Sequence, residues 1–139
     1  MNCCPRLSKL FFVLLAATVA GGFYLSMSDS PTAADHKDQL LRHVVLFQFK
    51  DTASPADVQH VIDEFQALPN KIPTIAGFEY GTDNSPEGLA DGFTHCFLLT
   101  FNSEADRDVY LPHPDHKAFG STLKPHLEKV LVVDYWTSK

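Results

Sequence analysis

The order of regular segments constrains this chain more than any other feature. A strand, a helix and a strand are followed at once by the same three again. Residues 42–49 (RHVVLFQF) are rich in β-branched and aromatic types and read as a first strand. Ser54, Pro55 and Asp57 then supply an N-cap, a first-turn proline and an acid at the third helical position, which is the start signal of a helix. Val58, Val61, Ile62, Phe65 and Leu68 recur at helical spacing up to Pro69. Residues 77–82 (GFEYGT) make a second strand, and residues 83–92, with two glycines and a proline, a loop. Residues 94–101 (THCFLLTF) predict a third strand. Ser103 opens another capped helix to about Leu111, Pro114 starts a further helical turn through Phe119, and Pro125 limits the next piece. Residues 129–136 (KVLVVDYW) close with a fourth strand. The β-α-β-β-α-β order predicts an α+β, ferredoxin-like sandwich, in which one antiparallel sheet carries helices on one face.

Side-chain alternation divides that sheet into two faces. His43, Val45, Phe47 and Phe49 share one side of the first strand, and His95, Phe97, Leu99 and Phe101 one side of the third. The two strands are adjacent and central in such a sheet. The opposite face then shows Val44, Leu46, Leu98 and Val130 or its neighbours, with no helices left to cover it. An apolar sheet face without a second layer calls for a partner sheet. A second copy of the chain would supply it, giving a homodimer paired sheet to sheet into a dimeric α/β barrel.

Residues 1–34 are of another kind. From Leu10 to Met27 no residue is charged, and Arg6 and Lys9 stand just before the run. Eighteen such residues span roughly 27 Å as a helix. The segment reads as a secretory signal, cut after Ala20 or Ala34, or as an uncleaved N-terminal anchor followed by a polar linker. Either way the expected domain is 35–139, exported and working outside the cytoplasm. Cys3 and Cys4 belong to the leader, so the domain keeps only Cys96, which reads as an inert core residue. Beyond residue 34 there are 9 basic and 16 acidic residues, a balance of −7 with no basic stripe. That excludes nucleic acid and anionic membrane surfaces as partners, and leaves membrane contact only to a retained N-terminal segment.

The 7 histidines carry the chemistry on offer. His36 and His60 read as solvated, and His126 sits near a helix end. His113 and His116 lie three residues apart on one helical face, with Asp115 between them, and His43 and His95 project from the central strands. No HExxH or CxxC motif or carboxylate cluster accompanies them, so no metal site is expected. No GxSxG elbow, phosphate loop or dinucleotide fingerprint occurs, and no cofactor is expected either. Imidazoles facing an apolar pocket beside a phenol remain, and these suit acid–base work. Tyr110 lies six residues before His116, near enough for both to edge one cavity.

At these residues the sequence resembles the stress-responsive A/B barrel (Dabb) family, from about Leu41 to Trp136. The resemblance rests on residues 42–50 (RHVVLFQFK), on Phe93-Thr94-His95, on residues 113–120 (HPDHKAFG) and on residues 132–135 (VVDY). It implies a ferredoxin-like protomer that dimerises through its sheet. One characterised plant member closes a linear polyketide by a cofactor-free aldol condensation, with a histidine as general base and a tyrosine hydroxyl nearby. By that resemblance His116 is the base and Tyr110 the hydroxyl, while His43 and His95 line the cavity from the sheet. Phe47, Phe97, Phe65 and His113 complete the expected substrate-binding set, and Phe65 stands where that cyclase has a pocket tyrosine. The first functional expectation is a homodimer that binds a small, mostly apolar molecule. The second is a cofactor-independent lyase or cyclase, and the third a metal- or haem-assisted oxygenase on the related barrel fold.

Overall fold

The computed structural model describes His36 and residues 38–138. The uncharged run from Leu10 to Met27, and with it the choice between signal and anchor, lies outside the described residues. Among the described residues no helix is long and apolar enough to cross a membrane. The described residues form eight elements in order: β1 (Leu41–Phe49), α1 (Pro55–Gln66), α2 (Leu68–Lys71), β2 (Gly77–Thr82), β3 (His95–Phe101), α3 (Glu104–Tyr110), α4 (Pro114–Leu123) and β4 (Leu127–Trp136). The four strands form one sheet in the order β2-β3-β1-β4, every neighbouring pair antiparallel. This is the ferredoxin-like α+β arrangement that the segment order predicts.

Local chemistry explains where the elements begin. The Ser54 hydroxyl accepts from the Asp57 backbone N–H at 3.2 Å, and the Asp57 carboxylate accepts the Ser54 N–H at 2.9 Å. This capping box satisfies donors that the first turn of α1 leaves orphaned. Donation by the Ser54 hydroxyl at 2.7 Å, and after it by the Ser54 N–H, holds the Asp57 carboxyl below its usual pKa. Ser103 caps α3 in the same way, through the Asp106 N–H at 3.1 Å. α4 runs one turn beyond the Phe119 expected as its end, through Gly120 to Leu123. Burial of both Phe119 and Leu123 against the sheet outweighs the cost of a glycine inside the helix, about 1 kcal/mol.

Register sets the two faces. In β1–β3, Val45 lies opposite Phe97 and Phe47 opposite His95; in β1–β4, His43 lies opposite Asp134. Buried residues alternate along β1 at Leu41, His43, Val45 and Phe47, and these meet Ile62, Phe65, Phe119 and Leu123 from α1 and α4. The far face carries Val44, Leu46, Leu98, Leu131, Val133 and Tyr135. Val130 and Val132 point instead to the helix side, as the partners of Phe47 and Val45. Cys96 also corrects the sequence reading: it is exposed on the far face, opposite Leu46, and does not join the core. β4 is an edge strand with apolar residues on both sides, and Val130 to Val133 are 42–50 % exposed.

Candidate active site between the helices and the edge strand

A cavity of about 230 Å³ opens where α3 and α4 meet the β1–β4 edge of the sheet. His43, Val45 and Phe47 from β1, Val130 and Val132 from β4, and Tyr110 and His116 from the helices line it, above a floor that includes Phe65 and Phe119. The floor is a ring stack, with Phe65 and Phe119 centroids 4.3 Å apart and Phe65 and Phe97 4.7 Å apart. These rings fill the interior, so the open space lies at the histidine end. A water takes about 30 Å³ of liquid volume, so the cavity suits a compact molecule of roughly ten non-hydrogen atoms.

Three polar side chains meet in this apolar setting. Tyr110 is 1 % exposed and packs between two imidazoles: its ring centroid lies 5.7 Å from that of His43 and 4.2 Å from that of His116. Burial pushes the phenol pKa well up, which keeps the hydroxyl a donor. That hydroxyl makes no hydrogen bond among the described residues. His116 is fixed by its Nδ1, which donates to the Leu111 carbonyl at 2.9 Å. Leu111 ends α3, where carbonyls lack helical partners, so the end of one helix orients a side chain of the next. His43 Nδ1 donates to the Asp134 carboxylate at 2.6 Å. With both Nδ1 atoms engaged, the neutral imidazoles keep their Nε2 atoms unprotonated.

His43, Phe47, Phe65, Tyr110 and His116 therefore share one cavity. His95, Phe97 and His113 do not line it. His95 is on the expected face but four residues along the strand from the partner of His43, roughly 13 Å at strand rise. It packs edge-on to Phe49 at 5.0 Å and lines grooves at the opposite end of the sheet. Phe97 is wholly buried beneath the floor. His113 is the N-cap of α4, where its Nδ1 accepts the Asp115 N–H at 3.2 Å. Sequence reasoning missed Asp134 and Arg107, whose role depends on cross-strand register. Among the described residues no group of three His, Cys, Asp or Glu side chains is placed to hold a metal ion.

The fold and the site define a ferredoxin-like protomer with a histidine- and tyrosine-lined pocket under its helices. The sequence profile of the stress responsive A/B barrel domain matches residues 41–137, and the chain belongs to that family. It is 39 % identical over 95 residues to the stress-response A/B barrel domain-containing protein HS1 of Arabidopsis thaliana, covering 68 % of this chain and 87 % of that one. It is 29 % identical over 99 residues to olivetolic acid cyclase of Cannabis sativa, covering 71 % and 98 %. Among solved structures, the hydroxynitrile lyase of Passiflora edulis superposes with a TM-score of 0.68 at 31 % identity, over 72 % and 94 % of the two chains. A dimeric ferredoxin-like protein of unknown function from Thermobifida fusca superposes with a TM-score of 0.59 at 31 % identity, over 70 % and 90 %.

Proposed function

We propose that this chain is a cofactor-independent acid–base catalyst of the lyase or cyclase type, acting on a compact, mostly apolar carbonyl compound or its adduct. The observation that carries this reading is the buried Tyr110, whose ring packs between two imidazoles at the edge of an apolar cavity. His116 Nε2 takes a proton from the substrate, and the Tyr110 hydroxyl donates to the oxygen on which charge develops. The relatedness to a cyclase and a lyase supports the same class of chemistry.

In this reading the domain is a homodimer, paired through the sheet face that carries Val44, Leu46, Leu98, Leu131 and Val133. It works outside the cytoplasm, on the strength of the uncharged run from Leu10 to Met27 behind Arg6 and Lys9. Fractionation of the expressing cells tests the location, and recovery of the full protein in the cytosol would refute it.

Racemic mandelonitrile, followed by release of benzaldehyde, probes the chemistry at the right size. Turnover by the native chain is expected, with losses of about 10²–10⁴-fold in His116→Ala and Tyr110→Phe. Saturable binding of mandelonitrile without turnover, together with no turnover of a linear triketide thioester, would make the pocket a binding site and remove the catalytic reading.

A further inference from the structure

The pocket holds a second imidazole whose support is more elaborate than that of His116, and the acid–base reading above leaves it unused. His43 is 5 % exposed on a central strand, and its Nδ1 lies 2.6 Å from Asp134 Oδ1 across the β1–β4 pair. The other Asp134 oxygen accepts from Arg107 Nη1 at 2.9 Å, on α3. Three elements thus meet in one chain of charge-assisted hydrogen bonds, ending at an imidazole that faces the cavity. Burying a histidine costs free energy unless its ring nitrogens are engaged, and here a partly exposed carboxylate and guanidinium stand in line behind it. The arrangement is the one expected of a carboxylate that fixes the tautomer and orientation of a working imidazole and meets its positive charge when it is protonated.

The second imidazole also completes a symmetry around the phenol. His116 and His43 pack against the Tyr110 ring, one held by a carbonyl and the other by a carboxylate. A positive charge on His43 meets the Asp134 carboxylate, whereas His116 has only the Leu111 dipole. The groups facing His43 are Asp134 from β4, Arg107 and Tyr110 from α3, and His116 from α4.

We infer that His43 is the second acid–base group of the site, the proton donor that complements His116, and that Asp134, backed by Arg107, is its positioning residue. The inference rests on the acid–base reading above, and it narrows the substrate to a compound that both loses and gains a proton. An α-hydroxy adduct of an aldehyde with a carbon acid is such a compound. His116 Nε2 takes the hydroxyl proton, the oxygen closes to the carbonyl, and the bond to the carbon acid breaks. The leaving carbon keeps the electron pair and takes the Nε2 proton of His43 in its imidazolium form, whose charge the Asp134 carboxylate meets; the neutral ring, with its one proton on Nδ1, is what remains. Aldehyde and neutral carbon acid are the products, with no oxidant or reductant consumed, and a proton returning from His116 to His43 through solvent resets the site.

Two measurements on the full chain test this, with mandelonitrile as the probe. In ¹⁵N NMR of the ligand-free protein, the neutral His43 ring is expected to carry its proton on Nδ1, and Asp134→Asn to move it to Nε2. Under turnover, Asp134→Asn is expected to lower kcat by about 10²–10⁴-fold with KM little changed. Arg107→Gln, at a partly exposed position, should lower kcat to a smaller extent, with Arg107→Lys recovering most of it. An unchanged His43 tautomer and unchanged kcat in Asp134→Asn would overturn the proposal. So would a loss confined to thermal stability with kcat retained. If the native chain turns over no probe, the acid–base reading itself falls, while the tautomer measurement still decides whether Asp134 positions His43.

Discussion

Single residues show both what this sequence declares and what it conceals. Gly92 has φ +85°, so the loop needs a glycine for its backbone, while the end of the Gln48 side chain, 2.8 Å from where a Cβ would lie, can turn aside. Gly92→Ala should therefore destabilise the fold by about 1–3 kcal/mol in urea unfolding. His95 carries a different signature, because burial lowers its pKa below the ordinary imidazole value of 6.5. The unfolded chain then takes the proton first as pH falls, so stability rises with pH up to that ordinary value and is level above it. Denaturation midpoints at about pH 5 and about pH 7.5 should differ less in His95→Gln than in the native chain. The Tyr110–His116 pair was legible, since six residues and one helix–helix turn separate its members. The His43–Asp134 pair was not: its members stand 91 positions apart, and only the strand register joins them. His95 failed for the reverse reason, since side-chain parity gives the face of a residue but not its distance along the sheet.

At the scale of elements, the sequence was most legible where one local signal acts alone. The capped start of α1 and the bounds of β2 follow from turn chemistry and alternation, and both appear as expected. Where tertiary packing competes with a local signal, the boundary moves. α4 passes through Gly120 because Phe119 and Leu123 are both buried, and β4 begins at Leu127, two residues early, beside an irregularity at Gln48 and Phe49 of β1. The cap of α1 is testable by itself. Ser54→Ala removes the acceptor for the Asp57 N–H, and should cost about 1 kcal/mol of stability by chemical denaturation. The site should be spared, since α1 reaches it only through Phe65 on the floor. Binding of mandelonitrile is thus expected to be unchanged below the unfolding transition, and a loss of binding would mean that the helix start and the pocket are coupled.

At the scale of the whole domain, the described residues present the apolar sheet face that the segment order implies. Among the described residues helices cover one side only, and Val44, Leu46, Leu98, Leu131, Val133 and Tyr135 remain on the other, with Leu131 42 % and Val133 45 % exposed. A patch built from the centres of three strands is the kind of surface that a second sheet covers, and a stable interface takes about 800 Å² from each partner. Side-chain parity also separates the two functions of β4: Leu131 and Val133 face away from the pocket, while Val130 and Val132 face into it. Charge placed at Leu131 therefore attacks assembly without touching the cavity lining. In the proposed homodimer, Leu131→Asp should shift the mass by light scattering from twice that of the chain to that of a single chain at micromolar concentration. Far-ultraviolet circular dichroism should keep its native form, because the core lies on the other face. Val132→Asp should do the opposite, abolishing ligand binding in a protein that still assembles. If the native protein is monomeric at every concentration, the far face is not an interface and the barrel reading fails. If Leu131→Asp alone removes pocket binding while the protein stays dimeric, the two faces of β4 are not independent, and the pocket depends on the edge strand as a unit.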